Sequence, residues 1–264
     1  MTVYAGQGDA RRSLALLWGA PEEPRAGRSG PKPGLSVDAI VSAGIAVADA
    51  EGMAALSMRA VGERLGRTAM ALYTYVPGKA ELLDLMHDRA LAELPAGPPP
   101  VDDWRAAVTA WAEELHACYL RHPWVLQVSQ ARPVLGPAEL AAMEALLLAL
   151  RPAGLAPRRL RGAVAALWQF VRGLAATTAD ARAAAAATGV TDEAWWTSRS
   201  IQLADLAPDF ADRFPLLTAL QSAADGTPGG APEDSHREAF HTGLGILLDG
   251  IASPAPADPA AGSE

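Results

Sequence analysis

"LGRTAMALYTYVPGK", Leu65 to Lys79, sets a glycine, a threonine and two tyrosines in front of a proline, a glycine and a lysine. Gly66 can end a helix, because glycine enters the left-handed backbone region without steric cost. Thr68 is a good N-cap. A short helix is therefore predicted from Ala69 to about Val76, where Pro77 and Gly78 break it. A longer helix follows from about Lys79 to Leu94, with Leu82, Leu83, Leu85, Met86 and Leu91 apolar. Upstream, Ser57 caps a helix whose stripe is Met58, Val61 and Leu65. Before it, Ser36 caps another, with Val37, Ile40, Val41, Gly44, Ile45 and Ala48 at helical spacing and Gly52 as its stop.

Two short helices joined by a glycine turn form the helix-turn-helix layout. Such a layout packs its first helix tightly on its second, which favours small residues such as Ala60 and Gly62. The second helix presents its first residues to base edges in the DNA major groove. Tyr73 and Tyr75 can offer phenolic hydroxyls to phosphate, and Lys79 opens a helix whose N-terminus favours an anion. From Ser57 to Lys79, Arg59, Arg64, Arg67 and Lys79 stand against Glu63. This patch is basic although the chain carries a formal charge of -8. Local field, not net charge, governs such contacts. Arg28 and Lys32 lie in "RAGRSGPKPG", an arm of the kind that reaches an adjacent minor groove.

Outward from this head the pattern changes at "PAGPPP", Pro95 to Pro100, the clearest boundary in the chain. Longer helices follow. Their stripes are Trp104, Val108, Trp111, Leu115 and Cys118; Leu140, Met143, Leu146, Leu147 and Leu150; and Leu160, Val164, Leu167, Val171 and Leu174. A less regular stretch, Thr191 to Ala224, carries Trp195, Trp196, Phe210, Phe214 and Leu217. The last helix has Phe240, Leu244, Leu247 and Ile251 at near-heptad spacing, widened by Ile246 and Leu248. No stretch alternates with period two, so the fold class is all-α. Four segments are expected: a flexible extension and basic arm over 1–35, a helix-turn-helix domain with its connecting helix over 36–94, a helical effector-binding and dimerisation domain over 101–252, and a disordered tail over 253–264.

Composition narrows the function classes. The 264 residues are half apolar, enough for a sizeable core. One cysteine, Cys118, excludes an intrachain disulfide framework and a multi-cysteine zinc site. No apolar run reaches the ~18 residues of a membrane span, and "RRSLALLWGA" is too short to be a signal peptide core. A soluble cytoplasmic protein is expected, with no membrane partner. His236 and His241 are not on one helical face, "GLG" at Gly243 follows no strand, and "GK" at Gly78 lacks the rest of a phosphate loop. No cofactor or metal is called for.

The stretch "LSVDAIVSAGIAVADAEGMAALSMRAVGERLGRTAMALYTYVPGKAELLDLM", Leu35 to Met86, resembles the DNA-binding domain of the TetR family of transcriptional repressors. The resemblance extends to about Leu94, and "HREAFHTGLGILLDGI" near the end resembles the tetracycline-repressor type of effector domain more loosely. It implies roles by position. Ser57 and Thr68 open the two motif helices, and Arg59 reads a base or holds phosphate. Ala69, Met70 and Ala71 face the bases, Thr74 and Tyr75 touch groove and phosphate, Lys79 touches phosphate, and Tyr73 is largely packed with a hydroxyl that can touch the DNA backbone. Arg67 departs from the pattern, standing where an aliphatic residue is usual; it either turns outward or adds a DNA contact. The resemblance also implies a homodimer, in which the last helix and one over Pro157 to Arg182 pair with their copies. The partners implied are a double-stranded DNA operator and a small effector.

Tryptophan at helical spacing is usually core. Taken together, the tryptophans suggest an apolar site for an aromatic molecule, lined by Met86, Trp111 and Trp168 with His116, Gln169 and Arg172 as polar anchors. The leading expectation is a ligand-responsive repressor that binds a palindromic operator as a homodimer and is released by an apolar or aromatic effector. The alternative is an all-α enzyme acting on an apolar substrate in the Trp-rich C-terminal domain. No nucleophile–base set, carboxylate dyad or metal-ligand cluster supports that alternative.

Overall fold

A computed structural model describes residues 3–19, 34–97, 103–129, 131–224 and 232–253. Arg28 and Lys32 of the expected arm fall outside these residues, as do 98–102 of the proline-rich stretch and 254–264 of the expected tail. The described chain is helical apart from one two-residue pairing. It forms two compact units, one through Arg172 and one from Gly173.

In the first unit, α1 (Ala10–Trp18) is followed by α2 (Val37–Glu51), α3 (Met58–Leu65), α4 (Ala69–Tyr73) and α5 (Lys79–Leu91). The cap signals act as local chemistry dictates. The side chains of Ser36, Ser57 and Thr68 accept N–H bonds from Ala39, Ala60 and Ala71. Gly52 and Gly66 end α2 and α3 at φ 79° and 64°. The reading helix is shorter than expected, stopping at Tyr73; Tyr75 and Val76 still donate to the Leu72 carbonyl in a closing turn. Connecting helix α5 likewise ends at Leu91, and Leu94 sits in a turn behind it. Ile40, Val47, Leu56, Val61, Leu72, Val76, Leu82 and Met86 make the core of this head. The Met86 sulfur lies 2.8 Å from where a Cβ on Gly44 would stand, so α2 and α5 cross closely.

The extension is not a loose arm over its described part. Val3–Tyr4 (β1) pairs in parallel with Val128–Ser129 (β2), Val3 opposite Val128. Helix α1 packs on α5. Carboxylates of α5 receive the extension's donors: Gly6 N–H and the Ser13 hydroxyl go to Asp84, and Asp9 N–H goes to Glu81. Trp18 Nε1 donates to the Leu135 carbonyl at 2.9 Å. Leu135 has φ 60°, a conformation costing a non-glycine residue roughly 1–2 kcal/mol. Its own N–H donates to Glu139, so the residue is held from both sides.

The same unit continues through α6 (Trp104–Arg121), a 3-10 turn (Pro123–Gln127), α7 (Pro137–Leu150) and the first part of α8 (Pro157–Thr188). Val108, Trp111, Leu115 and Cys118 of α6 are buried as their spacing predicts. On α7 the buried face is Ala142, Ala145, Leu146, Ala149 and Leu150, whereas Leu140, expected within the stripe, is exposed. Small residues let α6 and α7 approach, with Leu146 and Leu150 buried beside them and Leu147 half-buried. The compact unit does not end at 95–100. Asp88 of α5 accepts from the N–H groups of Ala138 and Glu139, capping α7, whose own cap position Gly136 has no side chain to offer.

The second unit holds the rest of α8, then α9 (Asp192–Leu206), α10 (Phe210–Arg213), α11 (Pro215–Ala224) and α12 (Pro232–Ala252). Phe240, Leu244 and Leu248 of α12 are buried one turn apart, while Ile246 is exposed. Trp195 and Trp196, expected to be core or to line a site, are exposed and lie edge-to-face at 5.0 Å. Nothing on α9 is buried.

Candidate nucleic-acid interface and effector site

The head owes its shape to two glycines. Gly66 takes the left-handed conformation and donates to the Glu63 carbonyl, while Arg67 N–H donates to Gly62 O at 2.8 Å. A Cβ on Gly62 would stand 2.8 Å from the Arg67 carbonyl oxygen and 3.3 Å from Ala69 N. Only a residue without a side chain lets the start of α4 lie this close to α3. The close crossing aims α4 outward.

On the outer surface Arg59, Arg64, Arg67, Thr68, Met70, Tyr73, Thr74 and Lys79 are exposed. Ser57, Ala69, Ala71 and Tyr75 are half-buried. The two tyrosines thus exchange their expected settings: Tyr73, expected to be packed, is 45% exposed. The α4 helix is one turn shorter than expected, and Leu72 and Val76 fill the inner face instead. Arg67 resolves outward. Arg59 is not a lone cation, because its Nε donates to Glu63 at 2.8 Å one turn on. That ion pair raises the Arg59 pKa: the hydrogen bond to Glu63 is the larger cause and its charge the second. Arg64, Arg67 and Lys79 have no ion-pair partner among the described residues, so the head carries unneutralised positive charge. Lys79 stands at the start of α5, whose cap Gly78 makes no side-chain cap bond. The first N–H groups of α5 and the ammonium therefore share one end of the helix.

The expected effector residues meet only in part. Trp111 and Trp168 are buried with ring centroids 5.4 Å apart, and Trp111 Nε1 donates to the Ala142 carbonyl at 3.1 Å. His116 is half-buried and Gln169 exposed. Met86 is fully buried over Gly44. Arg172, expected as a polar anchor, gives its guanidinium to the carbonyls of Val125, Leu126 and Val128. It clamps the strand that β1 joins.

Several polar groups were not singled out from sequence. His122 sets Nδ1 2.9 Å from Asp49 of α2 and Nε2 3.1 Å from Glu93, and Trp124 Nε1 donates to Asp49 at 2.8 Å. Partial burial would raise the Glu93 pKa, but His122 and Arg121 hold it below the ordinary value. Asp84, Asp88 and Glu139 are raised, chiefly by burial, with backbone N–H bonds opposing. His87 of α5 is 3% exposed, and its Nδ1 has no hydrogen-bond partner. An orphaned buried polar atom costs about 1–3 kcal/mol. Burial, seconded by the Arg172 charge, brings the His87 pKa down to about 4. The only sequence signal for it was a histidine between Met86 and Asp88, which reads equally as surface.

Among the described residues no group of three or more His, Cys, Asp or Glu could hold a metal ion, and no helix is long and apolar enough to cross a membrane. Comparison with known proteins bears on the whole chain. Residues 40–86 match the model for bacterial regulatory proteins of the tetR family, and residues 95–254 match the tetracyclin repressor-like C-terminal domain. Residues 87–94 lie between the two matches. The chain is 40% identical over 253 residues to the HTH-type transcriptional repressor DrrR1 of Streptomyces coeruleorubidus, covering 95% of this chain and 88% of that protein. It is similar to the crystal structure of the Streptomyces coelicolor TetR family protein ActR in complex with (S)-DNPA, with TM-score 0.65, 26% identity and coverage of 83% and 98%. ActR in complex with actinorhodin gives TM-score 0.63 at 27% identity, covering 83% of this chain and 96% of that one.

Proposed function

The chain belongs to the tetR family of bacterial regulatory proteins, and from that premise we propose that it binds a palindromic operator as a homodimer and is released by a small apolar or aromatic effector. Its matched families and relatives are named as regulators, so it is a DNA-binding transcriptional regulator and the enzyme alternative is not favoured. The observation that carries the finer reading is the α3–Gly66–α4 head, whose outward face gathers Arg59, Arg67, Thr68, Met70, Tyr73, Thr74 and Lys79. Arg59 is the base reader, and it must exchange Glu63 for a base or phosphate on docking. Ala69, Met70 and Ala71 read by apolar contact, as with thymine methyl groups. Ser57, Thr68, Tyr73, Thr74, Tyr75, Arg67 and Lys79 serve the backbone, which positions a protein without reading sequence. Arg28 and Lys32 reach a neighbouring minor groove.

A homodimer suits this role because two-fold symmetry matches inverted half-sites. The exposed Ile246 and half-buried Leu247 and Ile251 of α12 support pairing of α12 and α8 with their copies. ActR is named in complex with small molecules, which supports an effector here, with Trp111 and Trp168 as its aromatic wall and Met86, His116, Gln169 and Arg172 around it. The site of action is the cytoplasm, where the operator is.

The test is selection of duplexes from a randomised pool, followed by binding of the recovered site. An inverted repeat is expected. Arg59→Ala and Lys79→Ala should each weaken binding about 10-fold, the scale of one lost contact. The Lys79 variant should also flatten the salt dependence by about one unit of log–log slope. Undiminished binding by both variants would remove these contacts from the reading.

A further inference from the structure

His87 is a buried imidazole that the fold does not use. Its Nδ1 has no partner, and it lies on α5, the helix that Lys79 opens toward DNA. Its neighbour Asp88 caps the first turn of α7, and Trp111 donates to the Ala142 carbonyl one turn further along the same helix; the Arg172 charge, after burial, lowers the His87 pKa. Arg172 has three carbonyls as partners and no carboxylate among the described residues. Its positive charge is therefore not neutralised locally. One turn back along α8 lies Trp168, in contact with Trp111. A neutral imidazole offers one N–H donor and one acceptor nitrogen. A hydroxyl can answer either. An ammonium group would be repelled by Arg172, and a purely apolar molecule would leave the imidazole as it is. An acidic hydroxyl on an aromatic ring satisfies the imidazole, the Arg172 field and the indole pair together.

We propose that His87 is the polar anchor of the effector site, taking the acidic hydroxyl of an aromatic effector whose ring meets the Trp111–Trp168 pair. This rests on the reading of the chain as an effector-responsive regulator and names the chemistry of that site. Because His87 and Lys79 share α5, an occupied anchor also bears on the helix that touches phosphate.

The test uses the full chain and two probes of nearly equal shape, 2-naphthol and 2-methylnaphthalene, with binding measured by equilibrium dialysis. The wild type should bind 2-naphthol about 10-fold more tightly, the scale of one buried hydrogen bond. His87→Leu and His87→Phe should bring that ratio to about one while keeping 2-methylnaphthalene binding; either variant suffices if only one folds. A wild type that does not discriminate, one that binds neither probe, or a folded variant that keeps the full ratio overturns the proposal. DNA binding is followed in the same samples. DNA binding without probe discrimination sinks the anchor and leaves the regulator reading standing. Discrimination without any DNA binding does the reverse.

Discussion

Helices α5 and α9 are thirteen and fifteen residues long and stand at opposite extremes of burial. All of α5 but Lys79, Ala80 and Arg89 is buried, including Glu81, Asp84, His87 and Asp88. No residue of α9 is buried, although it carries Trp195, Trp196, Ile201, Leu203 and Leu206. The difference lies in the neighbours. Helices α1, α2, α6 and α7 all pack on α5, so each of its faces meets another element. Its carboxylates survive burial because backbone N–H groups of the extension and of α7 meet them. Among the described residues nothing buries the apolar groups of α9. Burial along a helix is thus set by how many elements converge on it, and composition follows only where a polar group lacks a partner.

The comparison can be tested first at Asp88. Asp88→Ala removes the acceptor for two N–H groups at the start of α7. Two orphaned donors should cost about 3–4 kcal/mol, read as a lowered denaturation midpoint; a loss below about 1 kcal/mol would mean that water replaces the carboxylate and that α5 is not sealed. Next comes His87, whose folded pKa lies near 4 against 6.5 when unfolded. The unfolded chain then binds the extra proton between those values. Stability from this group is present above 6.5 and is lost as pH falls toward 4, by up to about 3 kcal/mol. Asp84, Asp88 and Glu139 act in the opposite sense. Their raised folded pKa values favour the fold at low pH, and that contribution is lost as pH rises through them. Denaturation of wild type and His87→Leu across this range cancels the carboxylates, and the variant should show the flatter acid limb. The smallest effect is expected on α9. Trp196→Ser should change the stability of the isolated chain by no more than about 0.5 kcal/mol. A loss that grows with protein concentration would show that a second copy covers α9.

The head was readable because its signals are local. Ser36, Ser57 and Thr68 cap within three residues of themselves, and Gly52 and Gly66 stop their helices in place. The extension was not readable. Its bonds reach from Gly6 and Ser13 to Asp84, more than seventy residues away, and no local signal marks a partner at that distance. The tyrosines were misplaced because a reading helix one turn shorter exposes Tyr73 and draws Tyr75 inward. Arg172 and Trp168 were both singled out, but sequence spacing could not say that one would be spent on carbonyls and the other on a tryptophan. The second family match begins at residue 95, yet Asp88 and the extension draw α5 into the same compact unit as α6 and α7. Sequence boundaries and packing boundaries answer to different forces.

The single cysteine carries one more consequence. Cys118 is buried, its Sγ donates to the Ala90 carbonyl in the last turn of α5, and burial pushes its thiol up to about 11. At neutral pH such a group is thiolate on the order of one part in ten thousand, and thiolate is the form that attacks peroxides and disulfides. The chain has no second cysteine to resolve an oxidised one. The thiol of Cys118 is therefore a poor target for an oxidant, and a disulfide switch within one chain is ruled out.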